Sequence, residues 1–172
     1  IPKGLVGSEM CIRDSQTGGQ DELVFDGTSS VINKQGDVTI ELKSFATDSI
    51  QFNHEEINKS SIKEKTSNRL KDLYDSLVLA TKDYVEKNNF KGVLIGSSGG
   101  IDSALTATIA TDALGSDKVR TIMMPFKYTA DISINDAALL ANNLKINHQE
   151  IPIEMVYDCL LYTSDAADDG SR

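Results

Sequence analysis

Apolar positions from residue 69 onward alternate between a helical period and short continuous runs. The first set recurs at i, i+3, i+4 and i+7 and predicts an amphipathic helix over 69–88. The positions in this set are Leu70, Leu73, Tyr74, Leu77, Thr81, Tyr84 and Val85. A continuous Val-Leu-Ile run follows at 93–95, and such runs are typical of parallel strands that are covered on both faces.

The pattern then repeats twice along the chain. It predicts a helix over 102–114, a strand over 119–124, a helix that begins at Ser133 and a third strand marked by Ile151 and Ile153. Ser133 and Asp136 have the spacing of a capping box. The order α-β-α-β-α-β predicts the α/β class, with a doubly wound parallel sheet.

The stretch 22–45 has the alternation of β structure. Three short apolar segments lie at 23–25, 30–32 and 38–42, and turn residues separate them. These segments predict an antiparallel meander. The stretch that follows is polar and predicts a linker.

The two ends of the chain differ in character from its middle. Residues 1–15 and 159–172 both resemble translated adaptor sequence of the kind found at the ends of assembled sequencing fragments, and we predict that neither is native. Between them we predict three segments. They are a β-rich remnant of one domain over 16–46, a linker over 47–68 and the first part of a second domain over 69–158.

Composition and charge exclude several classes of function. The 17 basic and 26 acidic side chains give a formal charge of −9, which argues against a general nucleic-acid binder. No apolar run approaches the roughly 20 residues that span a bilayer, and no secretory leader is visible, so a cytoplasmic protein without a membrane partner is expected. Two cysteines, Cys11 and Cys159, are too few for a disulfide framework or a cysteine-rich zinc site. The isolated His54 and His148 do not predict a metal site.

The candidate chemistry lies in a small-residue loop between the strand at 93–95 and the helix that follows it. There the helix dipole and unpaired N–H groups favour an anion, and glycines let backbone amides approach phosphate oxygens. A carboxylate beside phosphates is useful when it holds Mg²⁺, so Asp102 is the candidate metal ligand. The candidate nucleotide-binding residues are Gly96, Ser97, Ser98, Gly99, Gly100, Ile101, Asp102 and Ser103.

Two familiar glycine loops do not fit this segment. A Walker A loop ends in Gly-Lys-Ser/Thr, and no lysine is present here. A dinucleotide fingerprint needs a second glycine two residues after the first, and Ser98 occupies that position. The pattern Ser-Gly-Gly-x-Asp-Ser instead fits the pyrophosphate loop of ATP pyrophosphatases.

Several segments together resemble the glutamine-dependent NAD synthetase family. Residues 18–27 resemble the late part of that family's nitrilase-like glutaminase domain, and 98–105 resemble its pyrophosphate loop. Asp112-Ala113-Leu114-Gly115, Met123-Met124-Pro125, Tyr128-Thr129 and Ser133 follow at the family's spacing. The resemblance covers residues 16–158.

The resemblance implies a partial doubly wound sheet of the adenine nucleotide alpha hydrolase type, preceded by a remnant of a nitrilase-like domain. It implies that ATP adenylates deamido-NAD and that ammonia from glutamine displaces AMP to form NAD. ATP and Mg²⁺ would be held by the loop, with Asp102 as the metal ligand. The full-length protein would form a homo-oligomer.

The same resemblance implies that parts of the machinery lie outside this chain. The glutaminase Glu, Lys and Cys would precede Gly18, and the deamido-NAD site would follow Asp158, so no catalytic residue is assigned here. We therefore expect that the chain alone forms no NAD. The family's sheet has about five parallel strands with the loop strand central. With only three present, that strand becomes an edge, and poor solubility is expected.

Two other classes of function stay open from the residues. One is another ATP pyrophosphatase, such as a GMP synthetase, an asparagine synthetase or a tRNA thiolase. The other is a non-catalytic nucleotide-binding module of the universal-stress type. Magnesium-dependent ATP binding that is lost on Asp102→Ala would exclude the second.

Overall fold

The computed structural model describes residues 10–53 and 68–169. The chain divides into two compact units, Ile1–Lys87 and Asn88–Arg172. Most of the predicted linker, with His54, lies outside the described residues. None of the helices in the described part is long and apolar enough to cross a bilayer.

The first unit contains five described strands and one helix. They are β1 (Met10–Arg13), β2 (Thr17–Gln20), β3 (Leu23–Asp26), β4 (Ser30–Asn33), β5 (Val38–Glu41) and α1 (Arg69–Lys87). The strands form two antiparallel groups, with the orders β1-β4-β5 and β2-β3. The β4–β5 hairpin closes on Asn33, whose Oδ1 accepts hydrogen bonds from the N–H groups of Gln35 (3.0 Å) and Asp37 (2.9 Å).

The predicted meander is confirmed in its second hairpin, since β4 and β5 pair antiparallel, and wrong in its first. β3 pairs with β2 and not with β4, because Asp21 adopts a left-handed φ of 51° and closes a two-residue turn between Gln20 and Leu23. The two glycines of Thr17–Gln20 are poor strand formers, so β2 gave no strand pattern. β1 lies in the predicted leader and pairs antiparallel with β4, so the end of that leader takes part in the described fold. Whether the leader is native stays a prediction.

Helix α1 confirms the predicted helix but not its buried face. The side chain of Asn68 caps the first turn, since its Oδ1 accepts a hydrogen bond from the N–H of Lys71 at 3.3 Å. Val85 is buried, whereas several apolar side chains of the predicted inner face are exposed. They are Leu70, Leu73, Leu77 and Tyr84. The helix instead packs on β2 and β3 through the side that carries Ala80 and Asp83.

The second unit is an α/β unit with a parallel sheet, which confirms the predicted class. Its elements are β6 (Val93–Gly96), α2 (Ile101–Leu114), β7 (Val119–Met123), α3 (Asp131–Leu144), β8 (Asn147–Glu150) and α4 (Glu154–Asp169). The strand order is β6-β7-β8, and both pairs are parallel. A buried cluster joins the helices to the sheet. Its members are Ala107, Ala110, Val119, Ala141 and Ile146.

Two predictions in this unit are wrong in detail. The third strand is Asn147–Glu150 and precedes Ile151 and Ile153. It pairs with β7 on one side only, and an edge strand of this kind can be polar, so the apolar pattern does not mark it. The third helix begins at Asp131, two residues before Ser133, and has no side-chain cap. Ser133 therefore lies in the first turn, where its N–H donates to the carbonyl of Ala130 at 3.0 Å, so the capping box is absent.

β6 lies at the edge of the described sheet, as the sequence predicts. It pairs with β7 and with no other described strand. Leu94, in the middle of β6, is 64% exposed. One face of this strand and one row of its backbone groups are therefore open.

Candidate functional site

The small-residue loop begins where β6 leaves the sheet and ends where α2 starts. The N–H of Ser97 still donates to the carbonyl of Ile122 on β7, at 2.8 Å, and Ser97 is buried. Ser97 is thus the last residue with sheet geometry. Gly100 is extended, with φ −89° and ψ 164°, and α2 follows at Ile101. The loop proper is therefore 98–100, at the carboxyl edge of the parallel sheet.

Gly99 has a conformation and a position that only glycine satisfies. Its φ is +76°, in the left-handed region. A Cβ on Gly99 would lie 2.2 Å from the carbonyl oxygen of Ser133 in α3. The loop is thus in direct backbone contact with the first turn of α3.

Two serine hydroxyls are brought together in the loop. Oγ of Ser98 lies 3.2 Å from Oγ of Ser103 and accepts a hydrogen bond from the N–H of Gly100 at 3.3 Å. Oγ of Ser103 also accepts from the N–H of Ser98 (3.3 Å) and donates to the carbonyl of Gly100 (3.0 Å). These bonds fix the path of the loop and place both hydroxyls at the start of α2.

The N-terminus of α2 leaves backbone donors available. No side chain caps this helix, and its first helical bond runs from the N–H of Ala104 to the carbonyl of Gly100 at 3.1 Å. Among the described residues, no acceptor faces the N–H groups of Ile101, Asp102 and Ser103. These groups lie at the positive end of the helix dipole, a setting that favours an anion.

Asp102 supplies the one carboxylate of this segment and is exposed. Within the described residues, no group of three or more His, Cys, Asp or Glu side chains is placed to hold a metal ion. Mg²⁺ often binds one or two carboxylates together with substrate phosphates and water. The donor set therefore fits a magnesium ion that arrives with a nucleotide, and does not fit a metal held by protein side chains alone.

The eight candidate residues predicted from the sequence form one continuous segment at this edge of the sheet. Their part in nucleotide binding stays a prediction. The contact of the loop with Ser133 could not be predicted from the sequence, because nothing in the local pattern connects positions 99 and 133. The spacing of Ser133 drew attention to that residue only as a helix cap.

A second segment lies at the same edge of the sheet, between β7 and α3. The ring of Phe126 packs edge-on against Tyr128, with centroids 5.5 Å apart, and packs in a tilted arrangement against Tyr157 of α4, with centroids 4.7 Å apart. Nζ of Lys127 lies 5.1 Å from the centroid of the Tyr128 ring. A Cβ on Gly96 would lie 3.9 Å from Cε of Met124, so the segment also begins beside the loop strand.

Comparison with known proteins gives consistent matches. Residues 73–170 match the family model described as NAD synthase. The match extends into the segment predicted as a non-native tail, whose origin stays a prediction. Glutamine-dependent NAD(+) synthetase of Acinetobacter baylyi is 39% identical over 153 residues, which is 87% of this chain. The chain spans about 28% of the length of that relative.

Solved structures extend this similarity to three dimensions. The glutamine-dependent NAD+ synthetase of Acinetobacter baumannii, in complex with ADP, superposes with a TM-score of 0.83 at 38% identity, covering 90% of this chain and 30% of that one. The NH3-dependent NAD synthetase of Campylobacter jejuni superposes with a TM-score of 0.51 at 28% identity, covering 54% of this chain and 40% of that one.

Proposed function

Because the chain belongs to the NAD synthase family, we propose that its loop at 96–103 binds the phosphates of ATP. The whole protein then carries out glutamine-dependent synthesis of NAD from deamido-NAD. The observation that carries this proposal is the open N-terminus of α2. Three backbone N–H groups there lack an acceptor among the described residues, and the hydroxyls of Ser98 and Ser103 lie at the same end of the helix. The relative with ADP bound supports a nucleotide as the anion.

The chemistry explains why such a loop is useful. A carboxylate is a poor electrophile, so the nicotinate carboxylate of deamido-NAD is first adenylated, and pyrophosphate leaves. Ammonia then displaces AMP and forms the amide. Donors fixed before the reaction stabilise the charge that develops on the phosphates, at no cost in reorganisation. The N–H groups of Ile101, Asp102 and Ser103 are placed to act in this way.

Asp102 is the residue of this chain that would hold Mg²⁺. The ion would neutralise phosphate charge and orient the leaving pyrophosphate when bound. Asp102 itself would supply one carboxylate oxygen from the first turn of α2. A carboxylate placed directly against phosphate would otherwise repel it.

Glutamine as the source of ammonia is supported by the extent of the structural match. The glutamine-dependent relative covers 90% of the chain, whereas the NH3-dependent one covers 54%. The part of the chain that precedes the family match at residue 73 therefore has a counterpart in the glutamine-dependent enzyme, and we assign residues 16–46 to the end of a nitrilase-like glutaminase domain. Cytoplasmic location and a homo-oligomeric full-length protein stay predictions.

Calorimetric titration of the 172-residue chain with ATP tests this proposal. We expect binding that requires Mg²⁺ and that weakens about tenfold or more on Asp102→Asn. Asp117→Asn, which removes an exposed carboxylate beyond the far end of α2, should leave the affinity within twofold. Magnesium-independent binding, or equal affinity in the Asp102 variant, would contradict the role of Asp102, and no binding at all would contradict the proposed function.

Incubation of the 172-residue chain with deamido-NAD, ATP and ammonia should yield no NAD.

A further inference from the structure

The contact between Gly99 and Ser133 ties the phosphate loop to α3. A Cβ on Gly99 would lie 2.2 Å from the carbonyl oxygen and 2.7 Å from the carbonyl carbon and Cα of Ser133. All three atoms are backbone, so no change of rotamer can relieve such an overlap. The absence of a side chain at Gly99 is therefore what lets the loop rest on the helix.

Two other glycines at the ends of α2 lack this constraint. Gly115 has a similar φ of +84°, but a Cβ there would meet nothing within 4 Å. Gly100 has an ordinary negative φ, and a Cβ there would lie 3.3 Å from Oγ of Ser98. Gly99 differs from both, since close backbone approach is required in addition to a left-handed conformation.

We propose that Gly99 is a positioning residue for nucleotide binding, because it lets the first turn of α3 hold the phosphate loop in place. This inference rests on the proposed function and adds to it. Gly99 allows a backbone contact between two elements of the same chain, whereas the sequence pattern predicts that the loop glycines allow close approach of phosphate. Nucleotide affinity then depends on α3, which supplies none of the candidate ligands.

The contact also predicts a response that travels from the loop to the helix. α3 follows the aromatic segment after β7, and Ser133 lies only three residues beyond its N-cap, Ala130. A phosphate group that holds the loop in one conformation also restricts the first turn of α3, against which the loop packs. We expect ATP to slow amide exchange in the first turn of α3 together with exchange in the loop.

Gly99→Asn and Gly115→Asn form the matched pair of variants. Both variants place a side chain on backbone of positive φ, and the ψ of 155° at Gly115 makes that position strained for any side chain, so Gly115→Asn controls for backbone strain. Only Gly99→Asn introduces an overlap with another element. We expect Gly99→Asn to weaken ATP binding about tenfold or more, and Gly115→Asn to stay within twofold of wild type. ATP affinity within twofold of wild type in Gly99→Asn would overturn the inference.

A second pair of measurements separates the possible failures. Ser133→Gly should not rescue Gly99→Asn, because the overlap is with backbone, and a rescue would overturn the inference. If Gly99→Asn does not fold, amide exchange in the wild-type protein tests the inference instead. An effect of ATP that is confined to the loop and absent from the first turn of α3 would overturn the inference.

If wild type binds no ATP, the proposed function fails. The contact is then read from amide signals of 131–134, which should shift in Gly99→Asn and not in Gly115→Asn.

Discussion

The carboxylate of Asp83 on α1 accepts a hydrogen bond from the backbone N–H of Gly19 on β2, at 2.8 Å. Nζ of Lys87 lies 2.9 Å from the same carboxylate oxygen and donates to the carbonyl of Gly19 at 2.6 Å. One acidic and one basic side chain thus satisfy both backbone groups of a single strand residue. Within the first unit, this arrangement fixes the helix against the β2–β3 pair.

Asp83→Asn should destabilise the first unit by about 1 kcal/mol at neutral pH, since a hydrogen-bonded charge is lost. The hydrogen bond from Lys87 lowers the pKa of Asp83, the bond from Gly19 lowers it further, and partial burial opposes both. A carboxyl group whose pKa is lower in the folded than in the unfolded protein stabilises the fold at pH values above its unfolded pKa of about 3.9. This contribution to stability is lost as the pH falls through the pKa of the folded state.

Urea unfolding of wild type and Asp83→Asn at pH 7 and near pH 2 measures this effect. The difference between the two proteins should shrink at the lower pH. Glu86→Gln removes an exposed carboxylate from the same helix and should change stability by less than about 0.5 kcal/mol. A difference for Asp83→Asn that is independent of pH would contradict the assignment.

A buried hydroxyl and a half-buried imidazole link β7 to β8. Oγ1 of Thr121 lies 2.9 Å from Nδ1 of His148, and Nε2 of His148 is buried with no hydrogen-bond partner among the described residues. Thr121→Val should cost about 1–3 kcal/mol, because it leaves Nδ1 unpaired as well. In a double-mutant cycle with His148→Leu, the losses in free energy of unfolding of the two single variants should sum to more than the loss in the double variant. Additive costs would show that the pair is not coupled.

Lys145 ends α3 in the left-handed conformation, with φ 56° and ψ 34°. Glycine is the residue best suited to that position. Lys145→Gly should therefore raise the free energy of unfolding by about 0.5–1 kcal/mol. Asn143→Gly, inside the last turn of the same helix, should lower it by a few tenths. A loss of stability on Lys145→Gly would contradict this account of the helix end.

The open edge at β6 should make the chain associate with itself. Leu94→Lys places a charge on the exposed strand and should reduce association, as lysine does on natural edge strands. Leu70→Lys, at a still more exposed position on a helix, should have less effect because a helix offers no unpaired backbone row. Light scattering at increasing concentration measures both. A wild-type chain that stays monomeric and melts cooperatively would contradict the prediction.

The elements that the sequence predicts best are those whose periodicity reflects burial against one neighbour. α2 and α3 bury alanines at helical spacing against the sheet, so both were found. β8 was misplaced because an edge strand with polar residues lacks the apolar run that marks a central one. The exposed face of α1 has core-like spacing, and spacing alone does not reveal what covers it.

The loop was predicted because its chemistry is local, with glycines, hydroxyls and a carboxylate within eight residues. Its support was not predicted. The contact of Gly99 with Ser133 joins positions 34 apart in the chain and depends on how α3 returns to the sheet. Backbone contacts of this kind leave no pattern of residue types beyond the glycine itself.

A crystal structure of the chain grown with a non-hydrolysable ATP analogue and Mg²⁺ would show where the nucleotide binds. We expect phosphate density within hydrogen-bond distance of the N–H groups of Ile101, Asp102 and Ser103, with the metal beside Asp102. Nucleotide density elsewhere on the chain, with the loop at 96–103 empty, would contradict this expectation.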